Sequence, residues 1–204
     1  MGRWDMPGYK EGEGGAQFEP IEAGAHDVQL AAIIHMPDQP AFDGGTRDRA
    51  CFVFVTPAEL DDNGEPRQIR HYVGLPDNPL HPKAGFRQMI DQWQGKPLTD
   101  EQVAEGFSEA RIKRLLGRAA VATTTVVQSA NDRMYAKLTA ISPPRKGYKR
   151  VSLDGLTVRV QDTPGQAWLT AEGVTVEVRE SKGCSSRPQQ AEEEPELTVD
   201  DVPF

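Results

Sequence analysis

The feature that most constrains the fold is one helical region that separates two groups of β-strand patterns. Phe86, Met89, Ile90 and Trp93 recur at helical spacing, and the run Gly95-Lys96-Pro97 predicts where that helix ends. Because Trp93 falls in register with Met89 and Ile90, we expect its ring in the core.

Two shorter helical signals follow before the strand patterns resume. Thr99 stands three residues before Gln102, which is the spacing of a capping box at the start of a helix. Ile112 and Leu116 then share a helical face, and Gly117 ends it. The helical region is therefore interrupted rather than continuous.

Strand patterns lie on both sides of the helical region. The predicted strands are Ala25–Ile34, Ala50–Val55 and Gln68–Leu75 before it, and Ala119–Val127 and Met134–Ile141 after it. Prolines and glycines between Pro37 and Gly45 predict a long loop, and Asp61-Asp62-Asn63-Gly64 predicts a turn. Strands and helix in this order are typical of an OB-fold, a five-stranded Greek-key barrel with its helix between strands three and four, although a generic α+β domain has the same order. We therefore predict an all-β OB-fold domain with a helical insert over residues 17–144.

The segments outside this domain differ from it in composition. Residues 1–16 are rich in Gly and charge and predict a flexible N-terminal arm. Residues 145–180 predict a basic linker and a small β-hairpin appendix, because Leu156 to Val160 and Val174 to Val178 both alternate as strands do. We expect these two strands to pair around Trp168 and Leu169 and to lie against the barrel. Ser, Gln, Pro and Glu dominate residues 181–204, which predicts a disordered acidic tail.

The net charge of −8 disfavours nucleic-acid binding until its distribution is considered. Residues 183–204 alone carry −5, which leaves −3 on the other 182 residues. Basic side chains cluster within that remainder, between Arg111 and Arg118 and between Arg145 and Arg150. We interpret Arg111, Lys113 and Arg114 of the first cluster as a complement to the dipole of a helix C-terminus.

Catalytic, metal-binding and membrane functions find little support in the sequence. The four histidines show no metal-ligand spacing, and Cys51 and Cys184 are too far apart for a zinc knuckle. The sequence contains no phosphate-binding Gly-Lys-Ser/Thr loop, paired-carboxylate motif or nucleophile elbow. No stretch approaches the roughly 20 apolar residues that cross a membrane, and the N-terminus lacks a secretory signal. We therefore expect a soluble, cytoplasmic, non-enzymatic protein that needs no cofactor or metal.

The middle of the chain, from Phe18 to Pro143, resembles a family of bacteriophage and prophage single-stranded DNA-binding proteins. The resemblance lies in the stretches 18–24 (FEPIEAG), 72–75 (YVGL), 86–99 (FRQMIDQWQGKPLT), 115–118 (LLGR) and 135–138 (YAKL). The block that runs from the helix into Gly95-Lys96-Pro97 is its most specific part. Membership implies an OB-fold without enzymatic activity, but it implies no particular base-stacking residues.

The C-terminal tip resembles that of bacterial single-stranded DNA-binding proteins, which end in an acidic run followed by Asp-Asp-Ile-Pro-Phe or a close variant. This chain ends in Asp200, Asp201, Val202, Pro203 and Phe204. The resemblance implies that the tip docks replication and repair enzymes. A terminal ring can fill an apolar pocket while the carboxylates meet basic residues at its rim. The alternative is a tail that only aids solubility.

Binding of single strands without sequence preference needs aromatic faces for bases and basic side chains for phosphates. The candidate stacking residues are Phe42, Phe52, Phe54, Tyr72, Tyr135 and Tyr148. The candidate phosphate contacts are Arg47, Arg49, Arg70, Arg133, Lys137, Arg145, Lys146, Lys149 and Arg150. As alternatives, Phe52 and Phe54 belong to the core, Phe42 tucks back into the barrel, and residues 145–150 form a solvated hinge.

These observations lead to an expected function. The protein binds and protects single-stranded DNA during phage-type replication, recombination or repair, and recruits partner enzymes through its C-terminal tip. One alternative is a protein-interaction adaptor of the replisome that has lost DNA binding, and another is an RNA-binding OB protein. An edge strand of the appendix is a candidate homodimer interface.

Overall fold

The computed structural model describes residues 20–40, 45–61, 64–128 and 134–179. The predicted N-terminal arm and acidic tail lie outside the described residues. Strands account for 50% of the described residues and helices for 13%, so the fold is mostly β as the sequence predicts. The strands are β1 (Gly24–Pro40), β2 (Thr46–Leu60), β3 (Pro66–Leu75), β4 (Ala119–Gln128), β5 (Met134–Ser142), β6 (Thr157–Gln161), β7 (Ala167–Thr170) and β8 (Thr175–Arg179). The helices are α1 (Gly85–Gln94), α2 (Asp100–Ala104) and α3 (Glu109–Lys113).

Five strands form one antiparallel sheet in the order β3-β2-β1-β4-β5. The helices α1, α2 and α3 all lie between β3 and β4 in the chain. This confirms the predicted order of three strands, a helical insert and two strands. Strands β3 and β5 end the order on opposite sides, yet Cα atoms of the two strands lie within 8 Å of each other.

The loop predicted from residue 37 onward begins later than expected. β1 continues to Pro40, and its last residues pair with the start of β2, with Gln39 opposite Arg47. The register shifts between Met36 and Gln39, so this part of the ribbon is irregular. Pro37, which has no N–H to donate to a ladder, lies in this irregular segment. The long β1–β2 ribbon therefore extends well past the predicted end at Ile34.

The helical insert forms as its sequence pattern predicts. α1 buries Phe86, Met89, Ile90 and Trp93, and it ends at Gly95, which has a φ of 71°. α2 begins with the predicted capping box, in which the Thr99 hydroxyl accepts from the backbone of Gln102. Within the described ranges, no helix combines the length and the apolar character needed to cross a membrane.

Apolar side chains are buried on both faces of the sheet. On one face, Phe54 of β2 packs edge-on against Trp93 of α1, with their ring centroids 5.5 Å apart. On the other face, Cys51, Val53 and Val55 of β2 join a second apolar cluster. Its remaining members include Leu153, Leu156, Val158 and Val160, which follow the five-stranded sheet in sequence. The appendix therefore covers one face of the sheet.

The predicted β-hairpin appendix is wrong in its pairing. β6 and β8 are parallel, with Val158 opposite Val176, and β7 lies between them in sequence but pairs elsewhere. β7 adds to β1, with Trp168 opposite Ile34. The physical reason is an open edge, because β4 pairs with β1 only as far as Gln29 and β7 occupies the edge from Ala32 onward.

Candidate nucleic-acid interface

The prediction that Phe52 and Phe54 stack on bases is wrong, because both rings are core residues. Their side chains are 1% and 0% exposed, respectively. Phe52 contacts Phe86 at a ring-centroid distance of 6.1 Å, and Phe54 contacts Trp93. The alternating residues Cys51 and Val53 are buried as well, so this part of β2 offers no ring to a ligand.

Tyr72 is the exposed aromatic residue of β3, with 52% of its surface accessible. It lies opposite Cys51 and near Arg70. Partial desolvation raises the pKa of the Tyr72 phenol, and Cys51 raises it further while Arg70 opposes the shift. The Arg70 guanidinium donates to the backbone oxygen of Arg159 in β6, which ties the appendix to the sheet. Tyr72 is therefore available for stacking, whereas Arg70 also has a structural role.

The two basic residues at the end of the β1–β2 ribbon differ in their exposure. Arg49 is half-buried, and its Nη2 donates to the backbone oxygen of Pro40 at 2.8 Å. This bond holds the two strands together where they approach the connecting loop. Arg47 is exposed. Phe42, the predicted stacking residue of that loop, lies outside the described residues.

The outer face of β4 and β5 places an aromatic ring beside a cation. Tyr135 is 47% exposed, and Lys137, two residues along the same strand face, is exposed too. Thr125 lies directly opposite Lys137. Neither strand contains an acidic residue, and Lys137 makes no ion pair with any residue that the structure describes. Arg133 lies outside the described residues.

The basic segment 145–150 is attached to β1 at several points. Arg145 lies 3.4 Å from the Asp27 carboxylate and donates to the backbone oxygen of Ala25 at 3.1 Å. The Tyr148 hydroxyl donates to Oε1 of Gln29 at 3.1 Å. Burial raises the pKa of this phenol, and the Asp27 charge raises it further. These contacts argue against a solvated hinge, and Tyr148 serves as an anchor for the segment.

Gln29 is the residue that fixes this segment, and sequence reasoning missed it. Its side chain is 1% exposed. Nε2 donates to the backbone oxygen of Val151 at 3.0 Å, and Oε1 accepts from the backbone N–H of Val151 at 2.7 Å. Both polar atoms of the side-chain amide are therefore hydrogen-bonded, and these bonds compensate for the cost of burying the amide. No local pattern marks this position, because the partners are 119 or more residues away.

The anchored segment exposes three cations. Lys146, Lys149 and Arg150 are exposed, and none of them makes an ion pair within the described ranges. Arg150 lines a groove of about 430 Å³ together with Tyr148, Lys96, Arg118 and the prolines Pro143 and Pro144. The groove lies between the end of α1 and the linker that follows β5.

Two of the groove cations, Lys96 and Arg118, were absent from the predicted site. A sequence signal for them exists, since each directly follows a glycine that ends a helical region, Gly95 and Gly117. Both glycines adopt left-handed backbone angles, with φ of 71° and 70°. Their positions in the chain did not reveal that the two turns share one groove with Arg150.

No protein-family model matches this chain, and no curated protein matches it. In the described ranges, no three His, Cys, Asp or Glu side chains come together as a metal site requires.

Proposed function

We propose that this protein binds and protects single-stranded DNA without strong sequence preference, as in phage-type replication, recombination or repair. The observation that carries the proposal is the outer face of β4 and β5. There, the exposed ring of Tyr135 lies on the same strand face as Lys137, whose ammonium group forms no ion pair with the described residues, and neither strand contributes a carboxylate. A ring for a base beside a cation for a phosphate is what non-specific single-strand binding requires.

The proposed fold is an OB-type five-stranded Greek-key barrel. Three features support it: the strand order β3-β2-β1-β4-β5, the approach of β3 to β5, and the helices between β3 and β4. In OB barrels the face of the second and third strands and the neighbouring loops contact oligonucleotides. On β3 this face retains the exposed ring of Tyr72, next to the end of the ribbon that contains Arg47.

We propose a second activity for the C-terminal residues 200–204, which lie outside the described residues. Their sequence, Asp-Asp-Val-Pro-Phe, supports docking to enzymes that recognise the acidic and aromatic tips of bacterial single-stranded DNA-binding proteins. A synthetic peptide with the last ten residues should compete with the full chain for such an enzyme. Phe204→Ala should abolish that competition, and equal competition by the altered peptide would contradict the docking role.

Fluorescence anisotropy with labelled oligo-dT, an RNA homopolymer and duplex DNA, each at two salt concentrations, tests the binding proposal. Oligo-dT should bind most tightly, and higher salt should weaken binding because phosphate contacts release counterions. Tyr135→Ala should cost about 1–3 kcal/mol, the range for loss of one stacked base. Tyr135→Phe should retain most of the affinity, because the ring remains.

The matched control is Val178→Ala, which shortens an exposed side chain on β8, a strand that pairs with β6 and not with β4 or β5. An equal loss of affinity in this control would show that Tyr135 has no specific role. If the unaltered chain bound no single strand, the DNA proposal would fail in favour of the adaptor. Tighter binding of RNA than of oligo-dT would favour an RNA-binding protein instead.

A further inference from the structure

The edge of β1 changes its partner in the middle of the strand, and this change creates a cleft. The β1–β4 ladder ends at Gln29, and the β1–β7 ladder begins at Ala32. Between them the backbone oxygen of Leu30 accepts from the N–H of Gly117 at 2.8 Å, and the oxygen of Ala31 accepts from the N–H of Ala171 at 2.8 Å. The two partner segments diverge here, leaving a cleft of about 920 Å³.

Trp168 lines this cleft and is 41% exposed. It lies on β7 opposite Ile34, so the strand ladder fixes the position of its backbone. Among the described residues only Tyr72 and Tyr135 are other aromatic side chains with comparable exposure. A large ring on a cleft wall is a suitable platform for an unpaired base, because every base has a π-face.

The cleft shares Arg150 with the basic groove of Lys96, Arg118 and Tyr148. No carboxylate lines that groove, and its three cations form no ion pairs with the described part of the chain. The anchors described above fix its walls, since Tyr148 is held by Gln29. A Cβ atom at Gly95 would lie only 2.8 Å from Cγ of Pro143, so the end of α1 packs tightly against the linker.

The charges of the wider cleft differ from those of the groove. Asp154 and Glu172 line it, and its Lys113 is paired with Glu109 at 2.5 Å. Two carboxylates disfavour a phosphate in the cleft but leave the apolar ring of Trp168 available for a base. The groove therefore suits the backbone of a strand, and the cleft suits one of its bases.

We propose that the groove and the cleft together form a second contact site for the same single strand. The phosphates would be bound by Lys96, Arg118 and Arg150, and one base would stack on Trp168. The inference rests on the proposed function, and it extends the contact surface beyond the β4–β5 face. It assigns a ligand-binding role to residues in the turn after α1, directly before β4, in the linker and on β7.

Tryptophan fluorescence can report on this site directly. The chain has three tryptophans, Trp4, Trp93 and Trp168. Trp93 is 6% exposed, so in a Trp4→Phe background Trp168 is the accessible emitter. Oligo-dT should quench this emission, and a further Trp168→Phe substitution should remove most of the quenching. Trp168→Ala should weaken oligo-dT binding about 5- to 150-fold, as expected for the loss of one stacked base.

The double variant Lys96→Ala/Arg118→Ala tests the phosphate contacts. It should lower the slope of log affinity against log salt by about 1.4, since each phosphate contact on a single strand contributes about 0.7. The matched control is Lys83→Ala/Arg114→Ala, which removes the same charge from exposed residues that line neither the groove nor the cleft. Its slope should stay within the error of the unaltered chain.

The outcomes separate this inference from the proposed function. If the unaltered chain binds oligo-dT but the Trp168 and groove variants behave like the control, the second contact site is refuted and DNA binding through β4 and β5 stands. If the unaltered chain binds no single strand, both proposals fail together. The substituted side chains that the structure describes, at positions 83, 96, 114, 118 and 168, are all exposed, so circular dichroism should show an unchanged fold in those variants. Trp4 lies outside the described residues.

Discussion

Replacing Gln29 by alanine should loosen the basic segment from the sheet. The side chain is buried in β1 and makes hydrogen bonds with Tyr148 and Val151, which lie on either side of Arg150. Alanine fits the strand but reaches neither partner. The segment would then lose its attachment near the groove while the five strands keep their ladder.

The magnitude follows from the contacts. Three hydrogen bonds disappear, at 3.0 Å to the Val151 oxygen, 2.7 Å from its N–H and 3.1 Å from the Tyr148 hydroxyl. At about 0.5–1.5 kcal/mol each, their loss corresponds to about 1.5–4.5 kcal/mol. Val151 is exposed, so water can satisfy its freed backbone groups and reduce the cost. We expect a decrease of about 2–3 kcal/mol in the free energy of unfolding, within the range given for these bonds.

Urea unfolding followed by circular dichroism measures this decrease, and Gln68→Ala is the matched control. Gln68 is a half-buried glutamine on β3 whose side chain makes one hydrogen bond within the described residues, to the backbone oxygen of Thr157 at 3.0 Å. Its loss should cost about 0.5–1.5 kcal/mol. Tyr148→Phe should be destabilising in the unaltered chain but nearly neutral when Gln29 is already alanine. A Gln29→Ala variant no less stable than the Gln68→Ala control would refute the reasoning.

Three further substitutions test other parts of the fold by the same urea assay. Gly95→Ala should cost about 1–3 kcal/mol, because alanine disfavours the left-handed backbone and its Cβ would meet Pro143; an unchanged midpoint would contradict this. Arg87→Ala should cost about 3–5 kcal/mol, since buried Arg87 pairs with Asp91 at 3.0 Å, and Arg87→Lys should rescue little. Burial raises the pKa of the Cys51 thiol from 9.0 to about 11. As the pH rises, the thiol therefore ionises in the unfolded chain before it ionises in the folded chain, and the free energy of unfolding should fall between pH 9 and 11. Cys51→Ala should flatten that decline, by at most about 1.4 kcal/mol per pH unit.

Features that depend on neighbouring residues could be predicted from the sequence. Four apolar residues at helical spacing predicted α1. Gly95 predicted where it ends, because the residue at that position adopts a left-handed backbone conformation. The pair Thr99 and Gln102 gave the start of α2. The strands of the main sheet followed from alternation and turn residues, although Pro37 misplaced the end of β1.

Features that depend on distant partners could not be predicted in this way. β2 is apolar on both faces, so its pattern did not show that Phe52 and Phe54 pack against the helical insert while Val53 packs against the appendix. Alternation in β6 and β8 is the same for parallel and antiparallel pairing. In the sequence, Gln29 is typical of a polar, solvent-facing strand position. Its burial depends on a segment more than 100 residues away.

The appendix determines which surfaces remain for a ligand. In the barrel we propose, the face of β2 and β3 is where oligonucleotides are expected to bind. Here Val53 and Val55 of β2 are buried against Val158 and its neighbours, so most of that face is closed. Removing the appendix would expose apolar side chains and would not create a charged groove. A single strand bound as we propose would therefore contact the outer face of β4 and β5 and the groove of Lys96, Arg118 and Arg150, whose cations form no ion pair with the described residues.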